Sequence, residues 1–269
     1  MQPNRKFLIT LEGDLSVEAV WYASGTLCLS SQAGCALACP FCASGTLGLR
    51  RNLTAAELQQ QLDTCRKAGI EPERLTLSGI GEPLQNLANV RDFIADCSRR
   101  KLPVSLTTTG APLTLLTELL ELPHNGLMFS LHAATEATYR RLIPKGPGAG
   151  LLQEKLLEAW PHLSGRKRRK LGVNCLLLEG VNDGPEEMAA LGNWLRPFPE
   201  MTLHLLYCNP VAGSPYRSPA TATVDRIQDE LRRWGINVRR ANRWRRQEEG
   251  GCGTLVLGGS ADSEVPPSP

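Results

Sequence analysis

The sequence predicts an α/β fold in which a parallel sheet forms an open, partial barrel with helices on its outer side. Three observations favour this fold. Short apolar segments alternate with helical patterns from about residue 50 onward, units of this length suit right-handed crossovers, and the 269-residue chain is long enough for one large domain. Polar motifs follow several strands, at the carboxyl ends where such sheets carry their chemistry.

The predicted elements begin with a hairpin over residues 16–31, formed by strands at 17–22 and 26–30. Further strands are predicted at 74–78, 104–108, 127–132, 171–178 and 202–207. Helices are predicted at 54–68, 87–100, 113–120, 135–142, 151–160, 186–195 and 223–234. Residues 1–257 then form a single domain. Residues 258–269 are small, polar and proline-rich, so we expect a disordered tail.

Composition excludes several classes of protein. The chain is 42% hydrophobic, no apolar run reaches the ~18 residues of a membrane span, and the N-terminus lacks a signal peptide. We therefore expect a cytoplasmic monomer without a membrane partner. The nine cysteines are too thinly spread for a small disulfide scaffold, and a net charge of +3 is mild for a dedicated nucleic-acid binder.

Three cysteines are the strongest candidates for a metal site. Cys35, Cys39 and Cys42 are spaced CxxxCxxC, so a short loop can turn all three thiols toward one point. Zinc normally takes four protein ligands, whereas a cubane cluster has four irons. Three cysteines would leave one iron free for a small molecule. The alternatives are thiols packed as small apolar side chains and a structural zinc site.

Polar residues at strand ends suggest a second ligand. The motif GIGEP includes Gly81, which permits close backbone approach, and Glu82, whose carboxylate could hold a ligand ammonium. Hydroxyl, imidazole and amide groups that suit a nucleoside follow other strands, at Thr107, Ser130, Leu131, His132 and Asn209. Each of these alone is also compatible with a turn or cap, and His132 with a core histidine.

Two further cysteines are candidate nucleophiles. Cys28 precedes the cluster motif by seven residues, and Cys252 lies in a glycine-rich loop where its sulfur would be accessible. An ordinary loop cysteine is the alternative for Cys252. The remaining cysteines are predicted to be core residues at positions 65, 97 and 175, with position 208 left open.

Several motifs together resemble the RlmN/Cfr family of radical S-adenosylmethionine (SAM) RNA (adenine) methyltransferases. They occur in one order between Glu18 and Leu257: CLSSQAGCALACPFC, RNLTAAEL, GIGEPLQN, LTTTG, FSLHAATEATYRRLIPK, EGVND, NPVAGSPY and CGTL. The resemblance implies a radical SAM partial (β/α)6 barrel, a [4Fe-4S] cluster on the three motif cysteines, and SAM beside Glu82. It also implies that Cys252 is methylated, that Cys28 is its resolving partner in a disulfide, and that Glu18 is the base.

The implied reaction methylates carbon 2 of an adenine in rRNA or tRNA, with one SAM as methyl donor and one as radical source. An external electron donor such as a flavodoxin or ferredoxin would be required. Relatives usually carry an N-terminal helical accessory domain, whereas this chain begins close to Glu18. We therefore expect a short form, in which the mode of substrate recognition stays open.

Three alternatives remain at this stage. The enzyme could methylate carbon 8, it could be a radical SAM methyltransferase or activase that acts on a small molecule or peptide, or the chain could be a non-catalytic iron–sulfur or zinc protein. Two basic stretches bear on RNA binding. Residues 166–170 are compatible with a solvated face, whereas Arg239–Arg240 and the stretch 243–246, with Trp244 among arginines, suit phosphates and a stacked base.

Overall fold

The structure is a computed structural model that describes residues 3–13, 15–46, 48–209, 211, 213–241, 243–246 and 254. Its strands are β1 (Arg5–Leu11), β2 (Leu15–Tyr22), β3 (Thr26–Leu29), β4 (Gln32–Gly34), β5 (Leu49–Asn52), β6 (Arg74–Leu77), β7 (Val104–Thr108), β8 (Gly126–Ser130), β9 (Leu171–Leu177), β10 (Thr202–Tyr207) and β11 (Asn237–Arg240). Its α-helices are α1 (Ala43–Thr46), α2 (Ala55–Lys67), α3 (Leu87–Arg99), α4 (Leu116–Glu121), α5 (Glu136–Leu142), α6 (Ala149–Ala159), α7 (Gly165–Arg168), α8 (Pro185–Leu195) and α9 (Thr221–Arg233).

One nine-stranded sheet organises the chain, in the order β1-β2-β3-β6-β7-β8-β9-β10-β11. The pairs β1–β2 and β2–β3 are antiparallel, and every neighbouring pair from β3 to β11 is parallel. The predicted α/β class and its N-terminal hairpin are therefore confirmed. β3 belongs to both parts, since it closes the hairpin and is also the first of the parallel strands.

The sequence analysis missed four strands. β1 adds an antiparallel partner to the predicted hairpin, β11 extends the parallel sheet, and β4 with β5 forms a separate two-stranded ribbon. Only Val238 of β11 is fully buried, so this strand has almost no alternating pattern. The ribbon strands are short and pair only with each other, so they need the tertiary fold to form.

The two faces of the sheet have different compositions. The outer face contributes apolar side chains to one continuous core with the helices. Its fully buried members include Leu27, Leu75, Leu106, Phe129, Val173 and Leu203. The inner face, on the opposite side, carries Cys28, Thr76 and Ser105 at aligned positions of β3, β6 and β7. At these positions the inner face therefore carries polar side chains, which can line a ligand site.

Helix α9 corrects one prediction. Its buried stripe contains Val224, Ile227 and Leu231, but the helix ends at Arg233, one residue before the predicted end, and Trp234 is 47% exposed. Gly235 turns the chain with a φ of 80° directly after it, so Trp234 leaves the helical register. Of the helices in the described part of the chain, none is long and apolar enough to cross a membrane.

Candidate active site

The segment that carries the three motif cysteines is closed at its base by the β4–β5 ribbon. Gln32 and Ala33 pair with Asn52 and Arg51, and the N–H of Cys35 donates to the carbonyl of Gly48 at 3.1 Å. The ribbon holds the loop ends together, so the loop starts and finishes at fixed points.

Two glycines allow the close approaches inside this loop. A Cβ on Gly34 would lie 1.8 Å from the carbonyl oxygen of Gly48, and one on Gly45 would lie 2.7 Å from that of Cys39. Both distances are shorter than any ordinary contact. These two glycines therefore let the backbone pack closely around the cysteines.

Cys35, Cys39 and Cys42 lie close enough for their charges to interact. Cys35 and Cys39 are buried and Cys42 is half-buried, and the N–H of Cys42 donates to the carbonyl of Cys39 at 3.1 Å in a tight turn. Burial raises the pKa of Cys35 to about 11, with smaller contributions from the negative charges of Cys42 and Glu82. Burial, then the charges of Cys42 and Cys35, also raises the pKa of Cys39.

This donor set fits an iron–sulfur cluster. Three soft thiolates on one pinned loop suit iron, and bound metal would offset the burial that otherwise keeps these thiols protonated. Among the described residues, no three His, Cys, Asp or Glu side chains converge closely enough to hold a single metal ion. A cubane spreads its ligands over separate irons, so it does not require that convergence.

The GIGEP loop packs directly against the start of the cysteine loop. Gly81 has a φ of 108°, and a Cβ there would lie 2.6 Å from that of Gln32. The N–H of Glu82 donates to Oε1 of Gln32 at 2.7 Å. Gly81 is thus required because its backbone packs against the Gln32 side chain, and this contact brings Glu82 beside the cysteines.

The Glu82 carboxylate is fully buried and accepts four hydrogen bonds. Oε1 accepts from the N–H of Leu84 at 3.0 Å and from Oγ1 of Thr108 at 2.5 Å. Oε2 accepts from the N–H of Thr109 at 2.7 Å and from its Oγ1 at 2.9 Å. Burial raises the pKa of Glu82, and the hydrogen bonds oppose that rise. The four bonds use about as many acceptor sites as a carboxylate has. Those from Thr108 and Thr109 fasten the end of β7 to the loop that carries Glu82.

The other predicted SAM residues lie at or after the carboxyl ends of the parallel strands. Thr107 is half-buried on the inner face of β7, next to Met128 in the register. Ser130 ends β8 and is half-buried, whereas Leu131 is fully buried. Asn209 follows β10, and its Nδ2 donates to the carbonyl of Arg245 at 3.4 Å. Their contact with SAM stays a prediction.

His132 connects the sheet to the cysteine loop. Its Nδ1 accepts from the N–H of Leu176 at 3.2 Å, and its ring packs edge-on against Phe41, with centroids 5.0 Å apart. Burial lowers its pKa to about 4, so the imidazole is neutral at pH 7. Phe41 lies between Cys39 and Cys42, so His132 supports the loop as a packed core residue.

Cys28 and Glu18 share the inner face of the sheet. Cys28 is opposite Val20 in the β2–β3 register, and Glu18 lies two residues from Val20 on the same face. Both side chains are buried; Sγ of Cys28 is 3.3 Å from Oγ of Ser78, and Oε2 of Glu18 is 3.8 Å from Nζ of Lys6. The thiol and the carboxylate therefore lie on the same face of two adjacent strands.

Comparison with known proteins is consistent with this arrangement. Residues 29–192 match the model of the radical SAM superfamily. The dual-specificity RNA methyltransferase RlmN of Phenylobacterium zucineum is 37% identical over 255 residues, which cover 86% of this chain and 64% of that protein. The probable dual-specificity RNA methyltransferase RlmN of Rhodopirellula baltica is 34% identical over 266 residues, which cover 93% and 70%.

The chain belongs to the RlmN family of radical SAM enzymes. A crystal structure of a radical SAM methyltransferase from Sphaerobacter thermophilus has the same fold, with a TM-score of 0.80 and 27% identity over 94% of this chain and 77% of that one. The chain spans 64% and 70% of the length of the two RlmN relatives. Family membership implies a [4Fe-4S] cluster and SAM as cofactors, in agreement with the sequence analysis.

Two predictions for this RlmN family member lie outside the described residues. They are the position of Cys252 and the disordered tail at 258–269. No disulfide bond joins any two of the cysteines that the structure describes, so the expected Cys28–Cys252 pairing stays untested. Cys65, Cys97 and Cys175 are confirmed as core residues, and Cys208 is half-buried.

Sequence reasoning missed the buried amides that hold the site together. Gln61 accepts from the N–H of Ser30 and donates to its carbonyl, both at 2.9 Å. Asn86 donates to the carbonyls of Ser31 and Leu53, both at 2.8 Å. A glutamine inside the apolar stripe of α2 was the available signal, because a buried amide needs partners.

Proposed function

We propose that this chain transfers a methyl group from SAM, through Cys252, to carbon 2 of an adenine in rRNA or tRNA. The observation that carries the proposal is that two sets of reactive groups are connected by one loop. The three cysteines of the loop lie close to one another and to Glu82, and a buried thiol, Cys28, shares the inner face of the sheet with a buried carboxylate, Glu18. Ile80, from the loop that carries Glu82, packs in the same cluster as Cys28. A generic SAM-cleaving enzyme has no need of the second pair.

When bound, the [4Fe-4S] cluster supplies the electron that cleaves SAM. Cys35, Cys39 and Cys42 would hold it, and the loop contacts of Gly34 and Gly45 keep their backbone in place. Glu82, with Thr108 and Thr109, forms a rigid wall beside these cysteines. Such a wall would orient the amino end of SAM without rearrangement, which is the advantage of a preorganised site.

Cys252 would receive the methyl group from one SAM. One hydrogen atom of that methyl group would pass to the 5′-deoxyadenosyl radical made from a second SAM, and the carbon, still bonded to sulfur, would add to carbon 2 of the adenine and link protein to RNA. The adduct would lose one electron, returned to the cluster, together with the proton of carbon 2. The thiolate of Cys28 would attack the sulfur of Cys252, and the bond from that sulfur to the methyl-derived carbon would break. The carbon keeps the electron pair and takes a proton, while the two sulfurs become a disulfide. Glu18 would accept the proton that leaves carbon 2 of the adenine.

The segment after β11 has side chains that suit a nucleic-acid substrate. The segment Arg243–Arg246 follows β11 and contacts the other end of the sheet, near β1 and β2. Nδ2 of Asn4 donates to the carbonyl of Trp244 at 2.7 Å, and Trp244 packs against the cluster of Val20, Tyr22, Cys28 and Ile80. An aromatic ring beside Cys28 suits a stacked base.

The test is methylation of RNA by anaerobically reconstituted protein with methyl-labelled SAM, followed by mass spectrometry of the nucleosides. Labelled 2-methyladenosine is expected from the wild type and from the core control Cys97→Ala. Cys252→Ala should give none, and Cys28→Ala should accumulate a protein–RNA crosslink. Labelled 8-methyladenosine would instead select the carbon 8 alternative, and product from Cys252→Ala would reject the proposal.

A further inference from the structure

A row of polar and basic side chains crosses the inner face of the last four strands. Ser130, Asn174, His204 and Arg239 occupy aligned positions on β8, β9, β10 and β11. Residues paired in parallel register point to the same side of a sheet. The row therefore runs from the predicted SAM residue Ser130 to the edge strand β11, and neither His204 nor Arg239 is part of the proposed chemistry.

The basic end of this row carries concentrated positive charge. His204 is half-buried and Arg239 is exposed, and Arg245 from the crossing segment adds a guanidinium over the ring of Tyr22, 5.6 Å from its centroid. Burial lowers the pKa of His204, and the positive charges of Arg245 and Arg239 lower it further. Within the part of the chain that the structure describes, no carboxylate forms an ion pair with Arg239.

The neighbouring arginine has a different environment. Arg240 points to the outer face, where it forms an ion pair with Asp225 of α9. Its charge is neutralised within the fold. Two adjacent arginines in the sequence thus have opposite roles, because consecutive side chains of a strand point to opposite faces.

Most basic side chains of the first basic stretch, residues 166–170, also have partners within the fold. Nζ of Lys167 lies 2.5 Å from Oε2 of Glu121, and the guanidinium of Arg168 is 3.7 Å from Glu200 and stacks over Trp160 at 5.5 Å. Lys170 donates to the carbonyl of His124 at 2.8 Å. This stretch precedes β9, at the amino end of the parallel strands and away from the cysteines.

We propose that His204 and Arg239 form a subsite for a backbone phosphate of the RNA, at the open edge of the cleft. Arginine binds phosphate through a planar fork of donors, and the imidazole of His204 adds one N–H. The ligand is a phosphodiester beside the adenine that undergoes reaction. This inference deepens the proposed function and rests on RNA being the substrate.

The test measures binding of a single-stranded, adenine-containing oligoribonucleotide to the reconstituted protein over a series of salt concentrations. One phosphate contact contributes about 0.7 to the slope of log K against log salt for single strands. Arg239→Ala should reduce the slope by about that amount and weaken binding several-fold. Arg239→Lys should keep the slope and bind more weakly than the wild type.

Arg166→Ala is the matched control, because Arg166 is exposed and lies at the amino end of the strands; its slope should equal that of the wild type. An unchanged slope in Arg239→Ala overturns the subsite. So does a raised Kd for SAM in Arg239→Ala with the RNA slope retained, since the anion would then be the SAM carboxylate. Arg239-dependent binding without methylated adenosine would reject the methyl-transfer proposal and leave the subsite standing.

Discussion

The outer and inner faces of the nine-stranded sheet differ in what they bury. Phe129 and Val173 on the outer face are fully buried among apolar neighbours, whereas Thr107, Ser130 and His204 on the inner face are half-buried and polar. Because removal of apolar surface from water is the main stabilising contribution, the outer face holds the fold together. The inner face leaves hydrogen-bonding groups for ligands. Substitutions on the outer face should therefore lower stability, and substitutions on the inner face should lower activity.

The largest expected effect is on the cysteine loop. Cys39→Ala removes one of three thiolates, so cluster iron after anaerobic reconstitution should fall to background and SAM cleavage should become undetectable. The core control Cys97→Ala, on helix α3, should keep both. Iron content and absorbance of the cluster provide the measurement. A Cys39→Ala protein with wild-type iron would contradict this prediction, since the thiols of the cysteine loop would then have no role in metal binding.

The next prediction compares two substitutions on adjacent strands, one on the outer face of the sheet and one on the inner face. Phe129→Ala should lower the free energy of unfolding by about 3–5 kcal/mol, because it leaves a cavity in the packed core. Thr107→Ala should change it by only about 0.5 kcal/mol, since that side chain is half-buried on the inner face. Urea denaturation measures both values. Equal losses would show that the inner face also carries the stability of the fold.

Glu82 sharpens the comparison, because it is an inner-site residue that is fully buried. In Glu82→Gln an amide NH₂ would face donors from Thr108 or Thr109, so the free energy of unfolding should fall by about 1–3 kcal/mol. Glu179→Gln, at an exposed ion pair with Arg217, should lower it much less, because water screens exposed ion pairs. An unchanged free energy of unfolding for Glu82→Gln in urea denaturation would contradict the structural role of the four hydrogen bonds.

The smallest expected effect comes from a buried histidine on neither face. Burial, then the charges of Lys170 and Lys167, lowers the pKa of His124 from 6.5 to about 4. In the unfolded chain His124 is therefore protonated below about pH 6.5, whereas in the folded chain it is protonated only near pH 4. The free energy of unfolding should drop by about 1 kcal/mol per such histidine between pH 7 and pH 5.5.

His124→Gln should remove that contribution without a change in the pH dependence of SAM cleavage. Denaturation at the two pH values measures it. An identical pH dependence of stability in wild type and variant would count against the lowered pKa of His124.

Much of this fold was predictable because its signals are local. The strands β7 and β10 match the predicted ranges residue for residue, and the helix predicted from residue 54 begins with a capping box of Thr54 and Glu57. Periodicity and capping depend on residues a few positions apart. The ribbon strands and β11 were missed since their pairing partners, and not their own composition, make them strands.

The sequence by itself determined the chemistry of the cysteine loop, because three thiols within eight residues must lie near one another in any compact loop. Only the tertiary structure decided which side chains share the cleft. It brings Glu18 and Cys28 to one face, fastens Glu82 with Thr108 and Thr109, and turns Arg239 inward while Arg240 turns outward. Those outcomes depend on strand register between distant segments, where a shift of one residue would exchange the two faces.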